Sequence, residues 1–261
     1  MRRTPLVVVV LAVALAACTS DGDDQSTPPA SEETAPLEIL VTNDDGVGAD
    51  GIDALVEGLR EVPDVSVSVV APAENQSGTG TDTTTGDVAS QPAETSSGYP
   101  ATAVDGFPSD AIAWALDGGI DIVPDVVVSG VNAGQNIGPA TLISGTVGAA
   151  HTAVAAGIPA LAVSAGIASE IDYSLAVELA VDWVSEQRDA LLAGDAPLEV
   201  VNINVPTCPM VRELVEVPVV TDSGVNIFEV DCESTLRDPM SDVEGFVNGY
   251  AVESVVPPPA G

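Results

Sequence analysis

From residue 37 onward, apolar and polar positions alternate in blocks that read as strand, helix, strand, helix. Leu37–Thr42 is an unbroken apolar run of strand length. Residues 51–61 place Ile52, Leu55, Val56 and Leu59 at helical spacing. Residues 65–70 form a second β-branched run that ends at Ala71-Pro72. Residues 74–91 are polar and rich in Gly and Thr, which predicts a loop. Ser109 is placed to cap a helix running through Leu116. A third strand is predicted over 126–129, an Ala-rich helix over 146–156 and a fourth strand over 160–164. The spacing over 172–188 predicts an amphipathic helix with Leu175, Leu179 and Trp183 on its apolar side. Val200–Val205 is a fifth strand, stopped by Pro206. Beyond Val211 the short Val-rich runs suggest hairpins, and no repeat period is present.

This order predicts an α/β fold of three layers: a Rossmann-like, mostly parallel sheet with helices on both faces, plus an irregular C-terminal hairpin region. In such sheets ligands sit at the carboxyl ends of the strands.

The segment before residue 37 has a different character. Arg2 and Arg3 precede an apolar stretch from Leu6 to Ala17, too short to span a membrane as a mature helix. It closes on Leu15-Ala16-Ala17-Cys18, which resembles a bacterial lipobox. The expected organisation is a lipoprotein signal peptide over 1–17, a lipidated Cys18 and disordered tether over 18–36, and one domain over 37–261. The tether is Ser-, Thr-, Asp-, Glu- and Pro-rich and cannot bury enough surface to order itself. The implied location is extracytoplasmic, with the protein lipid-anchored to the membrane.

Charge narrows the partners. The chain has 40 Asp and Glu against 6 Arg and no Lys, a formal net charge of −34. Removal of the leader leaves Arg60, Arg188, Arg212, Arg237 and the lone His151. Nucleic-acid polymer binding by a basic patch is excluded, as is electrostatic attraction to anionic lipid. The membrane is therefore reached through the lipid anchor only. Of three Cys, Cys18 belongs to the leader. Cys208 and Cys232 remain, as a disulfide or as two buried thiols, and an oxidising compartment favours the disulfide.

The candidate chemistry follows the strands. Thr42-Asn43-Asp44-Asp45-Gly46 ends the first strand in two adjacent carboxylates. They repel each other unless a positive charge sits between them, and a divalent cation supplies one. The same run also reads as an Asp-Asp-Gly turn. Asn75, Gln76, Ser77 and Gly78 follow the second strand, and residues 129–138 follow the third with Asn132 and Asn136. Carboxylate, hydroxyl and amide oxygens suit Mg²⁺, Mn²⁺ or Ca²⁺ rather than zinc. The glycines of 130–138 allow positive φ and exposed backbone N–H groups. Ser144-Gly145-Thr146 opens a helix, and a helix N-terminus is an anion site, notably for phosphate. His151, inside the Ala-rich helix, reads as an ordinary helix residue.

These stretches closely resemble the SurE family, the stationary-phase survival proteins that act as metal-dependent 5'/3'-nucleotidases. The resemblance rests on residues 41–47 with Gly51-Ile52, 70–78, 106–110, 124–138, 144–147, 157–164 and 202–206, in family order. It implies one divalent metal per subunit, Mg²⁺ or Mn²⁺ before Ca²⁺, held by Asp44, Asp45, Ser77 and Asn132. It implies a nucleoside monophosphate substrate whose phosphate lies beside Asn136 and Ser144, and the helix start at Gly145 and Thr146 is expected to add backbone N–H groups to that phosphate site. Asp44 or Asp45 would serve catalysis, together with Asn136 and Ser144. It also implies a homodimer or homotetramer. The chain departs from the pattern twice. Ser77-Gly78-Thr79-Gly80-Thr81 stands where relatives usually continue Ser-Gly-x-Ser-Asn, and His151-Thr152 stands where they commonly have Met-Glu. The altered loop and the leader motivate a second expectation, a surface lipoprotein that binds a metal-chelated ligand or partner with impaired catalysis. The retained Asp44, Asp45, Ser77 and Asn132 argue against it.

Overall fold

The structure is a computed structural model that describes residues 35–259. The leader, Cys18 and the tether up to residue 34 lie outside the described residues. Nine strands form one sheet: β1 (Leu37–Thr42), β2 (Val65–Pro72), β3 (Ser90–Glu94), β4 (Pro100–Val104), β5 (Val126–Ala133), β6 (Ala160–Ala165), β7 (Val200–Val205), β8 (Arg212–Glu216) and β9 (Tyr250–Val256). Their order across the sheet is β3-β4-β2-β1-β5-β6-β7-β9-β8. The six central strands run parallel, and β3 and β9 run antiparallel to their neighbours β4 and β7. Parallel strands buried on both faces explain the unbroken apolar runs.

Alternate side chains of each strand enter two separate cores. Ile39 and Val41 meet Ile52 and Leu55 of α1 (Asp50–Arg60) and Ala176 and Ala180 of α4 (Ser174–Ala193). Leu40 and Val127 meet Ala111 of α2 (Pro108–Trp114) and Val147 and Ala150 of α3 (Gly145–Ala155). The three-layer α/β expectation holds. The chain runs from β1 leftward through β2 to β4, then returns to place β5 on the other side of β1. The β1/β5 border is therefore the switch point where such sheets open a crevice.

Several elements differ from the sequence reading. The 74–91 loop ends at residue 89, and β3, an exposed strand of mostly polar residues, pairs in an edge hairpin with β4, whose Ala103 and Val104 are buried. Ser109 does not cap α2. Phe107 occupies the cap position, and the Asp110 carboxylate accepts the Phe107 N–H at 2.9 Å. On α4 the buried face is Ala176, Ala180, Val184 and Leu191, whereas Leu175, Leu179 and Trp183 are half-buried on its flank. Small residues let the helix backbone lie close to its neighbours, so the bulky ones reach sideways. The C-terminal region is not a set of hairpins: β8 pairs with β9 in parallel, and α5 (Asp242–Val247) lies between them in sequence. Cys208 and Cys232 are joined by a disulfide with a Cα separation of 5.6 Å. Closing a loop of this size contributes about 3 kcal/mol in the chain-entropy picture.

The departure at 79–81 has a packing reason. Gly80 has φ +55° and its N–H donates to the Ile143 carbonyl at 3.0 Å. A Cβ on Gly148, inside α3, would lie 1.8 Å from the Gly80 carbonyl oxygen. The loop thus rests directly on the helix backbone. Gly148→Ala must push helix and loop apart, at a cost of about 1–3 kcal/mol. Urea denaturation measures it, and an unchanged midpoint would refute this contact.

Candidate active site

The residues predicted to hold metal and phosphate lie at the ends of β1 and β5, in the loops after β2 and β5, and at the start of α3. β1 delivers Asn43, Asp44 and Asp45. Asn43 closes the turn, its side chain bonding both the N–H and the carbonyl of Gly46. Asp44 is buried with 2 % exposure, while Asp45 is partly exposed. The loop after β2 docks beside them: Gln76 N–H donates to the Asp44 carbonyl at 2.7 Å, and Asn75 Nδ2 donates to Asp45 Oδ1 at 3.0 Å. The Asn75 Oδ1 in turn accepts the Ser77 N–H at 3.0 Å. Ser77 is exposed, and its hydroxyl has no protein partner among the described residues.

β5 arrives from the other side. Its pairing with β6 shifts register between Ser129 and Asn132. Such a bulge re-aims the strand end. The strand runs on to Ala133, past the expected end at Ser129, and the Ala133 N–H donates to Asp45 Oδ2 at 2.9 Å. Asn132 Nδ2 is committed to the Gly134 carbonyl, which fixes the amide orientation and leaves Oδ1 as its free group.

α3 supplies the fourth side. Ser144 is its N-cap, the hydroxyl oxygen accepting the Val147 N–H at 3.1 Å. A Cβ on Gly145 would lie 2.8 Å from the Asp44 Cβ, so only glycine lets this helix end approach the carboxylate. Thr146 behaves differently from expectation. Its hydroxyl donates to Asp44 Oδ1 at 2.7 Å and its backbone N–H also turns to that carboxylate, so Thr146 serves Asp44. Asn136 donates one amide hydrogen to Ser164 Oγ at 2.9 Å and keeps the second. His151 is half-buried in α3 and burial lowers its pKa.

Sequence reading missed what holds Asn136. Its N–H donates to Asn204 Oδ1 at 2.7 Å, and its carbonyl accepts Asn202 Nδ2 at 2.8 Å. Two asparagines in an otherwise apolar buried strand were the available signal.

The electrostatics centre on Asp44. Burial raises its pKa, the Thr146 hydroxyl opposes that, and the neighbouring Asp45 charge raises it further, to about 6. No Arg or His pairs with either carboxylate among the described residues, where the single ion pair is Arg60–Glu57. The four side chains of the set offer carboxylate, hydroxyl and amide oxygens. No cluster of three or more His, Cys, Asp or Glu suited to a metal exists among the described residues, so two carboxylates and two neutral oxygens are the donors at hand. That set fits a hard divalent cation.

A family profile described as Survival protein SurE matches residues 39–228. The chain belongs to the SurE family. The 5'-nucleotidase SurE of Geotalea daltonii is 38 % identical over 195 residues, 74 % of this chain and 74 % of that protein. The 5'-nucleotidase SurE of Geobacter metallireducens is 41 % identical over 195 residues, 74 % and 73 % of the two chains. The crystal structure of the SurE protein from Aquifex aeolicus superposes with a TM-score of 0.70 at 24 % identity, covering 86 % of this chain and 94 % of that one. The last comparison supports the fold alone.

The raised pKa has a stability consequence. Folded Asp44 holds its proton more tightly than the unfolded chain does. Stability is therefore greatest below pH 4 as far as this group is concerned, and falls as pH rises toward 6. The loss amounts to about 3 kcal/mol with no cation bound. Asp44→Asn removes it. With chelator present, the variant is expected to be more stable than wild type at pH 8, and the gap to close near pH 4. Urea titrations at both pH values test this, and equal stability at pH 8 would contradict the assignment.

Proposed function

We propose that this protein hydrolyses nucleoside monophosphates to nucleoside and phosphate, using one divalent cation. The observation that carries the reading is the Asp44-Asp45 pair, two like charges held together with no cationic side chain paired to them among the described residues. The family relatives named 5'-nucleotidase support the reaction class. Asp44, Asp45, the Ser77 hydroxyl and the Asn132 amide oxygen would hold the ion. When bound, Mg²⁺ or Mn²⁺ supplies neutralisation of phosphate charge and polarisation of the phosphorus centre.

The chain's own groups do the rest. The second Asn136 amide hydrogen, the Ser144 hydroxyl hydrogen and the Gly145 N–H at the start of α3 would donate to the non-bridging oxygens. The Asp45 and Asp44 carboxylates orient water for attack on phosphorus. The water oxygen bonds to phosphorus as the ester P–O bond breaks, the water proton passes by way of the carboxylates or solvent to the leaving oxygen, and the nucleoside leaves as its alcohol. Because the surface is so acidic, bare Asp44 and Asp45 carboxylates would repel an anionic substrate, and holding a cation would remove that repulsion.

Phosphate release from a nucleotide panel with Mg²⁺, Mn²⁺ or Ca²⁺ tests the reading. Chelator should abolish turnover, and Asp45→Ala should lower kcat/KM by at least about 100-fold. Undiminished turnover after complete metal removal would sink the mechanism. No release with retained metal-dependent binding would favour the impaired, ligand-binding lipoprotein.

We also propose export and lipid anchoring through Cys18. The lipobox-like Leu15-Ala16-Ala17-Cys18 and the Cys208–Cys232 bond, which suits an oxidising compartment, support it. Among the described residues no helix is long and apolar enough to cross a membrane. Cys18→Ser should move the protein from the membrane fraction to the soluble one and abolish labelling by a fatty-acid probe. Membrane retention of that variant would reject the anchor.

A further inference from the structure

We propose that Asp242 is a positioning residue for the nucleotidase reaction: its buried carboxylate holds the Gly138 N–H and so fixes the loop that carries Asn136. This rests on the proposed function for the role of Asn136. Asp242 lies beyond residues 39–228, the stretch that matches the family.

The loop from Gly134 to Gly138 is fastened at every residue that can be fastened. Gln135 donates from Nε2 to the Ile227 carbonyl at 2.8 Å and accepts the Ile167 N–H at 3.2 Å. Asn136 is clamped by Asn202 and Asn204. Ile137 is fully buried among Val217, Val243, Phe246 and Tyr250 of the C-terminal region. Gly138 donates its N–H to Asp242 Oδ2 at 2.6 Å. It stands at φ +52°, and a Cβ there would lie 2.6 Å from Val243 Cγ2, so the loop is pressed onto the start of α5.

Asp242 is itself immobile. It has no exposed surface. Oδ1 accepts the Val220 N–H at 3.1 Å, and its own N–H donates to the Pro218 carbonyl at 3.0 Å. Ser241 caps the same turn by accepting the Glu244 N–H at 3.1 Å. Two backbone donors thus converge on one carboxylate, one from the active-site loop and one from the strand-following segment at 220. Only a carboxylate offers an acceptor to each. An amide of the same shape has one oxygen, and its NH₂ would face an N–H donor. Burial pushes the Asp242 pKa up while the N–H donors of Gly138 and Val220 oppose it. A purely structural strut would tie any two segments together. This one ends two residues from Asn136.

Asp242→Asn in the full-length protein tests the role with two readouts. The first is kinetics with AMP and Mn²⁺. The second is amide hydrogen exchange over 134–138, which needs no activity. The expected result is a kcat lower by about 10–100-fold with KM changed by much less. Exchange over 134–138 should speed up by roughly tenfold or more relative to β1 and β6. A melting transition well above the assay temperature shows that the variant is folded. A kcat within about twofold of wild type, accompanied only by lower melting, would make Asp242 a fold strut and overturn the proposal. Unchanged exchange over 134–138 overturns it too. If wild type releases no phosphate, the nucleotidase reading fails, and exchange still decides whether the anchor exists. If Asp242→Asn does not fold, the Gly138 amide of wild type decides: slow exchange supports the bond, and full exchange overturns it.

Discussion

Asp44 and Asp45 are like charges on consecutive residues, and no cationic side chain among the described residues neutralises them. Everything around the site follows from keeping that arrangement in place. Burial alone would protonate Asp44, so the fold surrounds it with donors. The Thr146 hydroxyl binds Oδ1, and the N-terminal end of α3 is brought against it through Gly145. A helix start carries partial positive charge, which offsets part of the repulsion. Asp45 is stabilised by two N–H donors from different strand ends, Asn75 and Ala133. These bonds restrain the carboxylates without consuming all their lone pairs.

The parallel sheet makes this economical in chain length. β1, β2 and β5 all end on the same rim, and β1 and β5 border the switch point. Three loops can therefore meet close to the points where they leave their strands. The carbonyl of Asp44 is tied to Gln76, Asp45 is tied to Ala133, and Gly80 is laid on Gly148. The precision comes from backbone hydrogen bonds and bare glycine surfaces, which tolerate little displacement.

Where burial and chemistry coincide, the sequence was readable. The central strands are apolar because both faces are covered, and Asp44, Asp45, Asn132 and Ser144 stand out because polar groups interrupt those runs. Reading failed where that coupling is broken. β3 is an exposed edge strand whose Ser90, Gln91 and Pro92 carry no apolar alternation. On α4 the apolar stripe of Leu175, Leu179 and Trp183 was the conspicuous one, yet close helix packing selects Ala176 and Ala180. Thr146 was legible as a helix start but not as the partner of Asp44, since that bond joins residues 102 apart. Asp242 was invisible for the same reason: Ser-Asp at a helix start looks like an ordinary cap.

Asp44 and Asp242 show how one physical circumstance supports two uses. Both are buried carboxylates whose pKa is raised by desolvation. In Asp242 each oxygen accepts a backbone N–H, so the charge is balanced by fixed dipoles and nothing is left to bind. Asp44 takes the Thr146 hydroxyl and backbone N–H groups of Asp44 and Thr146, but the next residue adds a second negative charge. A carboxylate satisfied by its own backbone ties segments together. One that is buried and crowded by a like charge keeps a raised pKa in spite of its donors, and a nearby positive charge would lower it. The two uses meet at the end of β5: the C-terminal cluster around Ile137 and Asp242 holds the loop that follows Ala133, whose N–H restrains Asp45.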